Sequence, residues 1–132
     1  MQPTLAQKQI EMDIILKDPE LMLEADTNLV EQVMINLIVN AIEAVKETHE
    51  PLIKLSAAVS ASQKTVIQVS DNGYGMPEEL IGRIFIPFFT TKKTGSGIGL
   101  SLCKQIMMLH KGNIQVQSKE GGGTVFSLVF NQ

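Results

Sequence analysis

Thr27-Asn-Leu-Val-Glu-Gln-Val-Met-Ile-Asn36-Leu-Ile-Val-Asn40-Ala-Ile-Glu-Ala-Val-Lys-Glu47 is the stretch on which the fold turns. Leu29, Val30, Val33, Met34, Leu37, Ile38, Ala41, Ile42 and Val45 recur at helical spacing, and Asp26 and Thr27 offer N-cap chemistry, so the pattern predicts an amphipathic helix over Thr27–Glu47. A helix with one broad apolar stripe needs a surface to cover. The flanking segments supply it: Gln9–Leu16 and, after Pro19, Leu21–Ala25 are strand-like, as are Leu52–Ala61 and Lys64–Ser70 around a short Ser62-Gln63 turn. Pro77-Glu78-Glu79 opens a short helix with Pro at its first position, and Phe85–Gly97 has no period and reads as a loop. Ile98–His110 is a second long helix stopped by Gly112, and Asn113–Ser118 and Thr124–Phe130 are strands around Gly121-Gly122-Gly123. The expected fold class is α/β, a two-layer sandwich of about five mostly antiparallel strands with the helices on one face.

The chain has 132 residues, enough for one domain and too few for two. Its composition is 44% hydrophobic and 19% charged, a globular balance, and its apolar runs stop short of the roughly 20 residues of a membrane span. Met1–Ala6 lacks the basic start and apolar centre of a secretory signal, so the expected location is the cytoplasm, compatible with a membrane-anchored parent. Fourteen acidic against eleven basic residues, with the lysines scattered, argue against nucleic acid as a partner. Cys103, the single cysteine, lies in an apolar helical stretch and is expected to be a buried, unreactive thiol.

Three groups of residues carry chemistry. On the first helix Gln32, Asn36, Asn40, Glu43 and Glu47 fall within a stripe placed opposite the apolar face. Two Asn are poor choices for a solvated helix surface, whereas an amide oxygen can complete a Mg²⁺ octahedron otherwise filled by water and phosphate. After the third strand-like run comes Asp71-Asn-Gly73-Tyr-Gly75-Met-Pro77. Asn-Gly usually marks a hairpin, but a helix start follows here, so the glycines look like space for a ligand, with Asp71 able to accept a hydrogen bond from the amine of adenine. Finally, Gly95-Ser-Gly97-Ile98-Gly99-Leu100 leads straight into the second long helix, where backbone amides favour phosphate. The spacing fits neither the Rossmann nor the P-loop signature. Thr90, Thr91, Lys92 and Lys93 before it have the makings of a lid carrying a cation for the γ-phosphate.

In this order the three groups resemble the ATP-binding domain shared by histidine kinases, type II topoisomerases, heat-shock chaperone ATPases and mismatch-repair ATPases, the Bergerat fold. Gln32 to Glu43 is similar to the N box, Asp71 to Pro77 to the first glycine box, and Phe85-Ile-Pro-Phe88-Phe-Thr-Thr91-Lys92 to the phenylalanine box. Gly95 to Leu102 resembles the second glycine box, and Gly121-Gly-Gly123-Thr124 the third. The resemblance covers almost the whole chain and is closest to the catalytic domain of a bacterial sensor histidine kinase. It implies ATP and Mg²⁺ as ligands, Asn40 on the metal and Asp71 on adenine. Gly73, Gly75, Phe88, Thr91, Lys93, Gly95, Gly97, Ile98, Gly99, Leu100 and Thr124 would complete the nucleotide site. Hydrolytic relatives carry a Glu four residues before the metal-binding Asn; Asn36 stands there in this chain and cannot act as a general base, so ATP is expected to be kept for a protein acceptor. Glu43 occupies a position where a number of kinases have a phosphate-binding Lys, which leaves Lys92 or Lys93 as the cation.

A histidine kinase also needs a dimerising hairpin with the phosphoacceptor His. Neither His49 nor His110, each at a helix end, suits that role. Residues 1–8 are expected to be a linker remnant and 9–132 the catalytic domain, a monomer when isolated, with its own phosphoacceptor domain and a response regulator as partners. The rival expectations are a serine kinase of the anti-sigma type, which shares the fold and a similar lid, and a non-catalytic nucleotide-binding module.

Overall fold

The computed structural model describes residues 11–16, 27–86 and 99–131. Their elements, in chain order, are β1 (Glu11–Leu16), α1 (Thr27–Val45), β2 (Leu52–Val59), β3 (Thr65–Asp71), α2 (Glu78–Ile81), α3 (Gly99–Leu109), β4 (Gly112–Ser118) and β5 (Thr124–Phe130). The five strands form one sheet in the order β1-β2-β3-β5-β4. β1 runs parallel to β2, reached through α1 as a β–α–β crossover, and the other three pairings are antiparallel. The expected two-layer sandwich is therefore the fold, and the strand-like Leu21–Ala25 lies outside the described residues.

Alternation fixes which face of the sheet is inside. In β5, Phe126, Leu128 and Phe130 are buried while Val125, Ser127 and Val129 are half-buried. The register sets Val69 and Val116 on either side of Phe126, and Ile67 and Ile114 on either side of Leu128. Val33, Leu37, Ala41 and Val45 of α1 and Cys103, Ile106 and Met107 of α3 close over these rows in a single cluster. The opposite face is mixed: Val66, Val125, Val129 and Lys54 share it with a cross-strand row of Ser56, Gln68, Ser127 and Gln115, in which the Gln68 Nε2 donates to Ser127 Oγ at 3.0 Å.

Several local expectations shift. By length and hydropathy Asn28–Val45 would pass for a membrane span, although no such run was expected; its composition is that of a core helix whose inner stripe is fully buried against the sheet. The β2–β3 turn is longer than two residues: the strands end at Val59 and Thr65, Gln63 takes the left-handed conformation at φ 66°, and the Ser60 amide donates to the Lys64 carbonyl at 2.8 Å. Pro77 precedes α2 as its N-cap, extended at ψ 154°, and does not occupy the first helical position. The left-handed residue after α3 is Lys111, φ 55°, because Gly112 already pairs in β4, where a Cβ would strike the Val129 carbonyl. Lys111 tolerates this with help from Asn131, whose Nδ2 donates to the Lys111 carbonyl at 2.6 Å.

Candidate functional site

The site is organised by one flank of α1. Asn36, Asn40 and Ala44 succeed one another at four-residue intervals and so share a side of the helix. They do not lie opposite the buried stripe, as expected for the polar residues, but beside it; the outward positions are Ile35 and Val39, 51% and 48% exposed. The reason is that α1 is covered on two sides, by the sheet below and by a glycine-bearing segment at each end of this flank.

At one end the flank meets the loop after β3. Gly73 packs so closely on α1 that a Cβ would run into the Ala44 carbonyl, which accepts the Tyr74 amide at 3.2 Å. Gly75, at φ 67°, leaves no room for a side chain against the Lys119 carbonyl. Asn72 makes the Asn-Gly pair a clasp instead of a hairpin turn: its Oδ1 accepts the Leu52 amide at 2.8 Å and its Nδ2 donates to the Glu50 carbonyl at 3.1 Å. The loop is also sewn to the far end of the sheet, because the Gly121 amide donates to the Tyr74 carbonyl at 2.7 Å and the Met76 amide to Ser118 Oγ at 2.8 Å.

Asp71 ends β3 on the helix-facing side, in the cross-strand row Ile53, Asp71, Thr124, Ser118. Its carboxylate is half-buried, accepts the Gly73 amide at 2.9 Å and has no salt-bridge partner among the described residues. Burial raises its pKa above the ordinary carboxylate value, and the amides of Gly73 and Thr124 pull it partly back. The Tyr74 hydroxyl is pushed up as well, first by partial burial and then by the charges of Glu43 and Asp71, with Lys46 acting the other way. Glu43 itself pairs with Lys46 at 3.1 Å in an exposed bridge.

At the other end the flank meets the start of α3. A Cβ on Gly99 would come within 3.0 Å of the Asn36 Oδ1, so the glycine lets the helix N-terminus sit against that amide, whose Nδ2 donates to the Gln32 carbonyl at 3.1 Å. Cys103 lies deeper in the same seam, its thiol toward the Val33 carbonyl at 3.9 Å. Burial raises the thiol pKa to about 11, offset in part by the Asn36 side chain, which bears out the unreactive thiol expected.

The structure thus sets these residues along one flank of α1: Gly99 and Leu100 at Asn36, Asn40 one turn on, and Gly73 at Ala44 with Asp71, Thr124 and Gly75 beside it. The other expected site residues, Phe88, Thr91, Lys92, Lys93, Gly95, Gly97 and Ile98, lie outside the described residues. Phe85, just before them, is held edge-on to Phe126 with ring centres 6.5 Å apart. Neither Asn72 nor Ser118 was foreseen. Ser118 is detectable only through the β4–β5 register, which pairs it with Thr124.

Along the flank, Gly99 and Gly73 are separated by two helical turns and more, about 12 Å of α1. One end of that stretch holds a carboxylate that accepts, the middle holds the uncharged Asn40 amide, and at the other end the Asn36 amide meets a helix N-terminus with partial positive charge. Such a donor set fits a purine nucleotide laid lengthwise, its phosphates at α3 and a divalent cation at the amides.

Comparisons with known proteins identify the family. Residues 25–132 match the family described as histidine kinase-, DNA gyrase B-, and HSP90-like ATPase. Sporulation kinase C of Bacillus subtilis (strain 168) is 41% identical over 108 residues, 82% of this chain and 24% of that protein. The catalytic domain of histidine kinase ThkA superposes with a TM-score of 0.86 at 36% identity, covering 98% of this chain and 83% of that domain. ThkA solved in complex with response regulator protein TrrA gives 0.81 at 32% identity, over 98% of this chain and 36% of that one. The chain thus spans about a quarter of the length of sporulation kinase C. With the polar flank of α1 running between Gly73 and Gly99 and a family match over residues 25–132, the chain belongs to the histidine kinase-, DNA gyrase B- and HSP90-like ATPases, among the histidine kinase catalytic domains.

Proposed function

We propose that residues 9–132 form the catalytic domain of a sensor histidine kinase, which holds Mg·ATP and presents its γ-phosphoryl group to a histidine on a separate domain. The observation that carries this is the placement of Asn40 on α1 midway between Gly73, beside Asp71, and Gly99 at the start of α3. Asp71 accepts the exocyclic amine of adenine, a group guanine lacks at that position. Asn40 gives its amide oxygen to Mg²⁺, which supplies charge neutralisation at the phosphates when bound. Gly99 and Leu100 offer backbone amides to phosphate, and by sequence resemblance Phe88, Thr91, Lys93, Gly95, Gly97 and Ile98 join them. Lys92 supplies a cation near the γ-phosphate in the same way.

Phosphoryl transfer proceeds through a loose transition state in which positioning and charge do nearly all the work, so this domain requires no nucleophile of its own. Asn36 stands where hydrolytic relatives carry a base, and an amide cannot take a proton from water. Its contacts with Gly99 and Cys103 give it a packing role at the mouth of the cleft. Slow hydrolysis preserves ATP for the acceptor. A phosphoacceptor domain and, downstream, a response regulator are the partners, in the cytoplasm, with residues 1–8 a linker to the rest of the parent.

The test is transfer in trans. Terminally labelled ATP, Mg²⁺, this domain and a separate acceptor hairpin should place acid-labile label on the hairpin, and omission of Mg²⁺ should abolish it. Acid-stable label, or none on several cognate hairpins, would refute the assignment.

A further inference from the structure

The hydrogen-bond geometry around Ser118 points to a specificity role for this residue: it takes up the Thr124 hydroxyl proton, so that the Asp71–Thr124 pair presents acceptors only and favours a purine with a 6-amino group over one with a 6-oxo group. The inference rests on the proposed adenine-binding role of Asp71 and extends it to a residue that need not touch the nucleotide.

The argument is a count of protons. Among the described residues Ser118 Oγ has three neighbours within hydrogen-bonding distance: the Met76 amide at 2.8 Å, the Gly123 carbonyl at 2.9 Å and Thr124 Oγ1 at 2.8 Å. A hydroxyl has one proton to give and two lone pairs to receive with. The Met76 amide can only donate, which occupies one lone pair. The Gly123 carbonyl can only accept, so the Ser118 proton goes there. Thr124 then has to donate, filling the second lone pair. Reversing that last bond would send the Ser118 proton to Thr124 and leave Ser118 Oγ and the Gly123 carbonyl as two acceptors 2.9 Å apart. One arrangement alone satisfies all three contacts, and in it the Thr124 Oγ1 retains lone pairs and no proton.

Thr124 stands directly opposite Asp71 in the β3–β5 register, on the same face, and is buried. Two acceptors, a carboxylate and a proton-depleted hydroxyl, therefore lie side by side. A 6-amino purine brings two N–H donors to such a pair, whereas a 6-oxo purine brings a third acceptor. Discrimination by buried polar groups is strong when the wrong ligand leaves them unpaired. The same bonds join the loop after β3 to the β4–β5 turn, so Ser118 both holds the wall in place and orders its protons.

The experiment is calorimetric titration with Mg·ATP and Mg·ITP, inosine triphosphate being the 6-oxo analogue without the 2-amino group of guanine. Wild type should prefer ATP. In Ser118→Ala the Thr124 proton is released and can turn toward a 6-oxo group, so the ratio of the ITP to the ATP dissociation constant should fall about tenfold. Ser118→Thr, which restores the hydroxyl, should recover it. If Ser118→Ala does not fold, Ser118→Cys, whose sulfur is a much weaker acceptor for the Thr124 proton, should lower the ratio in the same direction by less, and an unchanged ratio there also overturns the inference. An unchanged ratio, including one in which both nucleotides weaken equally, overturns the inference and reduces Ser118 to a structural tie. Failure of the underlying assignment looks different: wild type would bind neither nucleotide, or Asp71→Asn would leave ATP binding intact.

Discussion

At the residue scale Asp71 is placed at a cost. Its carboxylate is half-buried with amide donors but no cation among the described residues, and burial raises its pKa. A carboxylate whose folded pKa lies above its unfolded one holds its proton longer in the native state, so its contribution to stability is fully present in acid and is lost as pH rises through the raised pKa. At neutral pH the ionised group therefore weakens the empty domain. Asp71→Asn, which keeps an acceptor for the Gly73 amide, should melt higher than wild type at pH 7, with the advantage fading toward acid. The same change should weaken ATP binding by about 10- to 100-fold, the worth of a hydrogen bond to a charged group. Scanning calorimetry and titration on the one variant measure both, and a lower melting point at pH 7 would contradict the desolvation argument. Asp71 itself was evident from the sequence, because a carboxylate at a strand end followed by two glycines is a local pattern. Ser118 was not: its importance depends on three contacts from Met76, Gly123 and Thr124 that no local pattern encodes.

At the scale of elements, the cleft exists because α1 is held at both ends by glycines that admit backbone instead of side chain. Gly73→Ala should drive its Cβ into the Ala44 carbonyl and cost about 2–3 kcal/mol, since neither backbone can give way without moving α1 or the loop. Gly82→Ala is the control: no atom of the described residues lies within 4 Å of its Cβ position and its φ of −72° is ordinary, so the change should stabilise by about 0.4–1 kcal/mol. Urea denaturation of the two variants decides the point. The helices and strands were legible from periodicity, α1 above all, since nine apolar residues at helical spacing leave little choice. Their ends were less so. The β2–β3 turn runs through Gln63 in a left-handed conformation that the bonds of Ser60 to Gln63 and Lys64 hold, and the stop after α3 falls on Lys111 because Gly112 is claimed by β4. The Asn72 clasp was hidden for the opposite reason: Asn-Gly carries a strong local meaning that tertiary contacts with Leu52 and Glu50 override.

For the whole molecule, the sheet supplies a rigid floor, the helices a covering layer, and the space proposed for the nucleotide runs along the α1 flank between Gly73 and Gly99. The seam between α1 and α3 runs from that space into the interior, and Cys103 sits inside it, 0% exposed and the only sulfhydryl in the chain. A thiol so shielded, with a pKa near 11, reacts with an alkylating reagent at pH 8 only during excursions that part the two helices. Its rate of modification by iodoacetamide is thus a built-in clock for those excursions, readable by mass spectrometry on the unaltered protein. A ligand bridging the α1 amides and the α3 terminus must leave before the seam parts, so saturating Mg·ATP at 100 times its dissociation constant should slow the clock by about 100-fold. Identical rates with and without nucleotide would mean that the two helices separate without disturbing whatever holds the phosphates.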